Sequence, residues 1–161
     1  MSTHIGKYLV YGGGEQAPDG QGGYVTVPSG VFSMIQLWNP ANSGKNCLID
    51  SLGMFNGLKH SDFLLYFTQT PFSSYKGKWW TMTPPQANGV LEFRAAISAT
   101  HVHPYPDESN TNIFFQWWFP PSASMLKLFS LTIPPGWGLN FEHSVQDNAM
   151  MIDAEGREET L

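Results

Sequence analysis

From residue 31 onward, apolar and polar positions alternate in short runs that turn chemistry interrupts every few residues. The runs 31–38, 46–55, 62–68, 78–82, 90–98, 112–119, 125–133 and 137–143 read as strands, with 23–27 ahead of them and a short strand over 7–11. Between them lie Asn39-Pro40-Ala41-Asn42-Ser43-Gly44, Pro84-Pro85, Pro120-Pro121 and Pro134-Pro135-Gly136, all of which favour turns. Strands of this length and spacing predict an all-β, single-domain, jelly-roll-like antiparallel β-sandwich. Several runs carry the period of a sheet with one wet face. In 125–133, Met125, Phe129, Leu131 and Ile133 line one face and Lys127 interrupts the row, which predicts a bulge or an edge. The run 31–38 alternates around Ser33 and Gln36 with a slip of phase.

The two ends read differently. Half of residues 12–23 are glycine, beginning with Gly12, Gly13 and Gly14, and such a segment has little apolar area to offset the entropy of ordering it. Residues 1–22 are therefore expected to form a flexible N-terminal arm, either a loose loop or a segment that orders on a neighbour. The sandwich is expected over 23–146. Residues 147–161 carry Asp147, Asp153, Glu155, Glu158 and Glu159 against Arg157 alone, hence −4 of the formal −5, and are expected to extend as an acidic C-terminal tail.

Composition narrows the function classes. Charged residues are 13% against about a quarter in ordinary soluble domains, while aromatics reach 14%. A nearly neutral, ring-rich body is adhesive as a free monomer, so its surface is expected to be covered by partners or to hold a groove of exposed rings. The negative balance argues against nucleic acid held by charge, and Lys76-Gly77-Lys78-Trp79-Trp80 is a weak version of a single-strand platform. No apolar run approaches the length of a membrane span or a signal peptide. Cys47 is the single cysteine, which leaves no disulfide within the chain and suits a buried apolar position in a protein made in a reducing cytoplasm.

The tryptophans carry the sharper argument. Neighbours on a strand point to opposite faces, so in Trp79-Trp80 and in Trp117-Trp118 one ring of each pair leaves the core face. With Trp137, and with Gly12, Gly13 and Gly14 of the arm, these are the interface candidates. Exposed rings also suit a tail, fibre or carbohydrate-binding module. No catalytic residues stand out. Gly44-Lys45 lacks the earlier glycine and the following Ser or Thr of a phosphate loop. His101-Val102-His103 with Glu108 and His143 resembles the ligand set of the cupins, metal-binding jelly-roll enzymes. That resemblance implies a metal at His101, His103, Glu108 and His143. It departs from the family in lacking the glycine before His101 and in placing His143 seven residues after Gly136.

Two stretches carry a further resemblance. Leu37-Trp38-Asn39-Pro40-Ala41-Asn42-Ser43-Gly44-Lys45-Asn46 and Ile133-Pro134-Pro135-Gly136-Trp137-Gly138-Leu139 are similar to segments of small β-sandwich bacteriophage virion proteins. The resemblance implies a non-enzymatic structural protein of the capsid cement or decoration type, located in the virion after synthesis in the host cytoplasm. It implies homo-oligomers, with a trimer preferred over a dimer, and contacts with the major capsid protein or other virion proteins. No cofactor, nucleic acid or membrane partner is expected.

Overall fold

The computed structural model describes residues 2–10, 16–17, 30–81, 88–98 and 113–161. Its regular elements are all strands: β1 (Ser2–Val10), β2 (Gln16–Ala17), β3 (Phe32–Asn39), β4 (Lys45–Asn56), β5 (Ser61–Thr68), β6 (Ser74–Thr81), β7 (Asn88–Ser98), β8 (Ile113–Phe119), β9 (Ser124–Ile133), β10 (Trp137–His143) and β11 (Met150–Thr160). They join in the order β8-β5-β10-β3-β7-β6-β1-β11-β4-β9, with β2 off this path and paired to β1. Every pairing is antiparallel.

This ladder folds into two four-strand layers, β8-β5-β10-β3 and β1-β11-β4-β9, and the chain passes back and forth between them. That alternation and strand order make a jelly roll, so the expected sandwich is present. The β6–β7 hairpin, inserted between β5 and β8, pairs with β3 on one side and β1 on the other, and joins the layers along one flank. On the opposite flank β8 and β9 are the two terminal strands among the described residues. Between the layers, Ile35, Leu37, Phe63, Leu65, Leu139 and Phe141 meet Ile49, Leu52, Met54, Ile152 and Ala154 in one core.

Each predicted strand from β3 to β10 is present, within a few residues of its expected ends; 23–27 lies outside the described residues. The apolar row of β4 changes phase between Ile49 and Leu52 because its register with both β11 and β9 breaks at Asp50. Asp50 there accepts a hydrogen bond from Arg157 at 2.7 Å. The irregularity expected in 125–133 falls between Leu128 and Leu131, and β9 is indeed an edge. No slip of phase occurs in β3, whose register with β10 runs unbroken. Its residues are buried on both faces, so the alternation expected of a half-wet strand is replaced by continuous burial. The outer face of this layer mixes buried apolar residues, Met34 and Leu64 among them, with hydrogen-bonded polar ones. Gln36 donates to Asn140 at 2.8 Å, and Tyr66 donates to the Glu142 carboxylate at 3.0 Å.

The C-terminal end departs most from expectation. Residues 147–161 do not extend from the sandwich as a tail: Met150–Thr160 is β11, paired along its length with β4 and along much of it with β1. Met150, Ile152, Ala154 and Gly156 are buried, while Glu155 and Arg157 are exposed. This row of small and medium side chains was outweighed by the charges alternating with it. Glu158 is nearly buried, bonded to Lys45 at 2.7 Å and to the Val90 amide. At the other end, Ser2–Val10 forms β1 between β6 and β11, extending the strand expected over 7–11, while Gly12, Gly13 and Gly14 lie outside the described residues.

At one end of the sandwich the turns are tied by side-chain amides. The Asn56 side chain donates to the Lys59 and Pro120 carbonyls, both at 2.8 Å, and its oxygen accepts from Asn148 at 2.9 Å. Gly57 sits beneath Asn148 and Ala149, where an added Cβ would lie 2.8 Å from both the amide nitrogen and the carbonyl oxygen of Ala149. Backbone atoms cannot swing aside as a side chain would. Gly57→Ala is therefore expected to lower stability by about 1–3 kcal/mol in chemical denaturation. A loss under about 0.5 kcal/mol would show that this corner yields freely.

Candidate interaction edge

Strand β8 reads Ile113-Phe114-Phe115-Gln116-Trp117-Trp118-Phe119 and contains no ionisable side chain. It pairs with β5 and is a terminal strand of the ladder among the described residues. Residues opposite each other in an antiparallel pair share a face. Trp117 opposes Phe63 and Phe119 opposes Ser61, so this row turns inward, while Trp118 opposes Asp62 and turns outward. The split predicted for adjacent tryptophans is therefore present in this pair.

Facing inward does not bury Trp117. Phe119 is 2% exposed, but Trp117 is 51% exposed and Trp118 56%. Both rings sit at the end of the described ladder, where they overhang the core. Trp117 stacks on Phe115 with ring centres 6.3 Å apart, and Trp118 stacks on His60 at 5.0 Å. Gln116 donates to Asp62 at 3.4 Å beside Trp118. His60 and Phe115 belong to this surface although neither stood out in the sequence. Only the pairing of β5 with β8 brings His60 to Trp118.

The other terminal strand is built differently. On β9, Lys127 opposes the buried Leu52, which places it in the core-facing row, yet it is exposed. A lysine in that position discourages another strand from pairing there. Of the two terminal strands among the described residues, one thus carries a charge and the other carries rings.

The remaining candidates scatter. Trp79 and Trp80 lie in β6, which helps join the layers; their side chains lie outside the described residues. Trp137 is partly buried against the core. His101, His103 and Glu108 lie outside the described residues. His143 is fully buried, with Nδ1 2.8 Å from the Ser61 hydroxyl and Nε2 2.8 Å from the Ala149 carbonyl. The carbonyl can only accept, so Nε2 carries the proton and Nδ1 accepts from Ser61. Both nitrogens are engaged, and neither points at a ligand. Burial pushes the pKa of His143 down to about 4. Cys47 is buried as expected, and burial, with Glu158 nearby, pushes its thiol up to about 12. Among the described residues no group of three or more His, Cys, Asp or Glu is placed to hold a metal ion.

The two turn motifs, far apart in sequence, form a single corner. The Asn39 side-chain amide donates to the carbonyls of Lys45 and Ile133, both at 2.8 Å, and the Asn39 backbone carbonyl accepts from the Gly136 amide at 2.8 Å. Gly136 has φ of 78°, and Trp137 donates to Pro134 at 3.1 Å, which closes the type II turn that Pro-Pro-Gly favours.

Fold and edge together define a jelly-roll β-sandwich joined along one flank, with the half-exposed Trp117 and Trp118 on a terminal strand among the described residues. No family model, curated protein or solved structure matches the chain.

Proposed function

We propose that the protein is a non-enzymatic structural component of a bacteriophage virion, a cement or decoration protein that binds shell subunits and copies of itself. The observation that carries this reading is β8, a terminal strand with two half-exposed tryptophans and no charge to keep other chains away. Tryptophan on a desolvating surface concentrates binding energy, and many weak contacts made at once on a shell multiply. The meeting of the two phage-like turn segments in one corner adds support, because they then act as one structural unit.

The test is isolation of intact particles from cells that produce the protein. A fixed copy number per particle is expected, falling at least tenfold in Trp117→Lys/Trp118→Lys while circular dichroism stays unchanged. Absence from purified particles would overturn the proposal. The placement of Asp62 and Gln116 beside Trp118 favours a second reading, a tail, fibre or other glycan-binding module. Saturable quenching of tryptophan fluorescence by oligosaccharides, lost in Trp118→Ala, would select it.

A further inference from the structure

We propose that residues 144–149, which connect β10 to β11, form an acid-sensitive latch that neutral His143 holds shut and that opens locally when this imidazole takes up a proton. The proposal concerns the chain alone and holds whatever the protein binds. Three features of the corner carry it.

The first is how the segment is fastened. Its ties are polar and run to three separate parts of the chain. The Ser144 amide donates to the Asp62 carbonyl at 3.0 Å, and the Ser144 hydroxyl accepts from the Asp62 amide at 2.8 Å. The Asp147 amide donates to the Val31 carbonyl at 2.9 Å, and its carboxylate accepts from the Gly30 amide at 2.6 Å. The Asn148 side chain accepts from the Lys59 amide at 3.2 Å and donates to Asn56 at 2.9 Å. Residues 144–147 are only half-buried and include one aliphatic side chain, Val145, so opening exposes little apolar area. Asp147 also holds φ of 58°, a left-handed conformation that opening relieves.

The second is the position of His143. It lies opposite Phe63 and shares its inward face, and its Nε2–H donates to the Ala149 carbonyl of the segment itself. The third is charge. Among the described residues, the ionisable groups around the corner are Lys59, His60, Asp62, Glu142 and Asp147. Asp62 and Glu142 adjoin Phe63 and His143 on their strands and so turn to the other face. His60 stacks on Trp118 at the surface, and Lys59 pairs with Asp147 at 3.3 Å on the rim. Gly30 to Asn39 supply no charge, nor does β8, and β11 supplies none before Asp153. Ser61 can turn its hydroxyl proton to the Asp62 carbonyl at 3.0 Å and accept from a protonated Nδ1. A hydrogen bond thus remains available to the imidazolium, but a counter-ion does not.

In the closed corner burial pushes the His143 pKa down to about 4, whereas a ring reached by water regains the ordinary 6.5. The open form therefore gains relative to the closed one as pH falls, by about fiftyfold between pH 7 and pH 4.5. The Gly30 amide holds the Asp147 carboxyl below the usual carboxylate range, so the segment keeps its own charge over this interval. Asn148 also holds the turn that continues into His60, so opening loosens the ring stacked on Trp118.

The experiment is native-state hydrogen exchange on the full chain in low urea at pH 7 and pH 4.5, corrected for intrinsic exchange rates. The Gly30, Lys59, Ser144 and Asp147 amides are expected to exchange through openings that urea does not promote, about fiftyfold more often at pH 4.5. The Leu65 and Phe141 amides are expected to exchange through urea-dependent global unfolding. In His143→Gln, which leaves His60 in place, the pH effect at the corner is expected to shrink below about threefold. If that variant does not fold, the urea-independent change in the wild type still decides. Corner amides that exchange only together with the core, at the same free energy and urea slope, would overturn the latch. So would local openings whose frequency changes less than about threefold with pH, or changes equally in both proteins.

Discussion

Deleting residues 147–161 is expected to leave no folded protein. The segment looks dispensable by its charge, but it forms β11, which lies between β1 and β4 inside one layer. Its removal strips backbone partners from both neighbours and withdraws Met150, Ile152 and Ala154 from the core. A single buried Ile→Ala change costs about 2–5 kcal/mol, and a whole domain has only about 5–15 kcal/mol of stability. Loss of the strand therefore exceeds what the remaining contacts supply. The truncated chain should give collapsed amide dispersion in NMR and no cooperative thermal transition. Ile152→Ala offers a graded version, with an expected loss of about 2–5 kcal/mol in urea. Glu159→Gln, exposed on the same strand, should change stability by less than about 0.5 kcal/mol. A truncated protein that melts cooperatively near the wild-type temperature would show that the end is a tail after all.

Acid should weaken the protein through His143. Its imidazole is neutral in the fold, with a pKa pushed down to about 4 by burial from an ordinary 6.5. Between those values the unfolded chain takes up a proton that the native one refuses. Stability from this group is thus constant above pH 6.5, falls as pH drops from 6.5 to 4, and changes no further below 4. The interval corresponds to about 3 kcal/mol. Protonating Nδ1 would also remove the acceptor for the Ser61 hydroxyl and leave a charge beside Phe63, whose ring centre is 4.6 Å away. Urea titrations at pH 7 and pH 4 should show this loss in the wild type. His143→Gln keeps a donor and an acceptor and cannot titrate, so its stability should fall about 3 kcal/mol less over the same interval. Equal losses in both proteins would mean that His143 is not the acid-sensitive group.

Fold class was legible because alternation and turns are local properties. The strand over Trp137–His143 is visible from its apolar spacing and from the Pro-Pro-Gly ahead of it, and it appears at the predicted bounds. β11 was hidden because its inward row is Met150, Ile152, Ala154 and Gly156, too light to stand out against four acids and an arginine in the strand. Ser61, His143 and Ala149 could not be joined in advance, since residues 82 positions apart share no local pattern. The same holds for His60 beneath Trp118 and for Asn39 bridging the two turn motifs.

By itself, the order of residues determined that the chain forms short antiparallel strands and that adjacent tryptophans in a strand part to opposite faces. Those conclusions follow from turn chemistry and from the pleat of a strand, which act over a few residues. Which strands end the ladder was a tertiary decision. Strand order depends on how the chain crosses between layers, and only that order leaves Trp117 and Trp118 half-exposed while setting an acidic segment in the middle of a sheet.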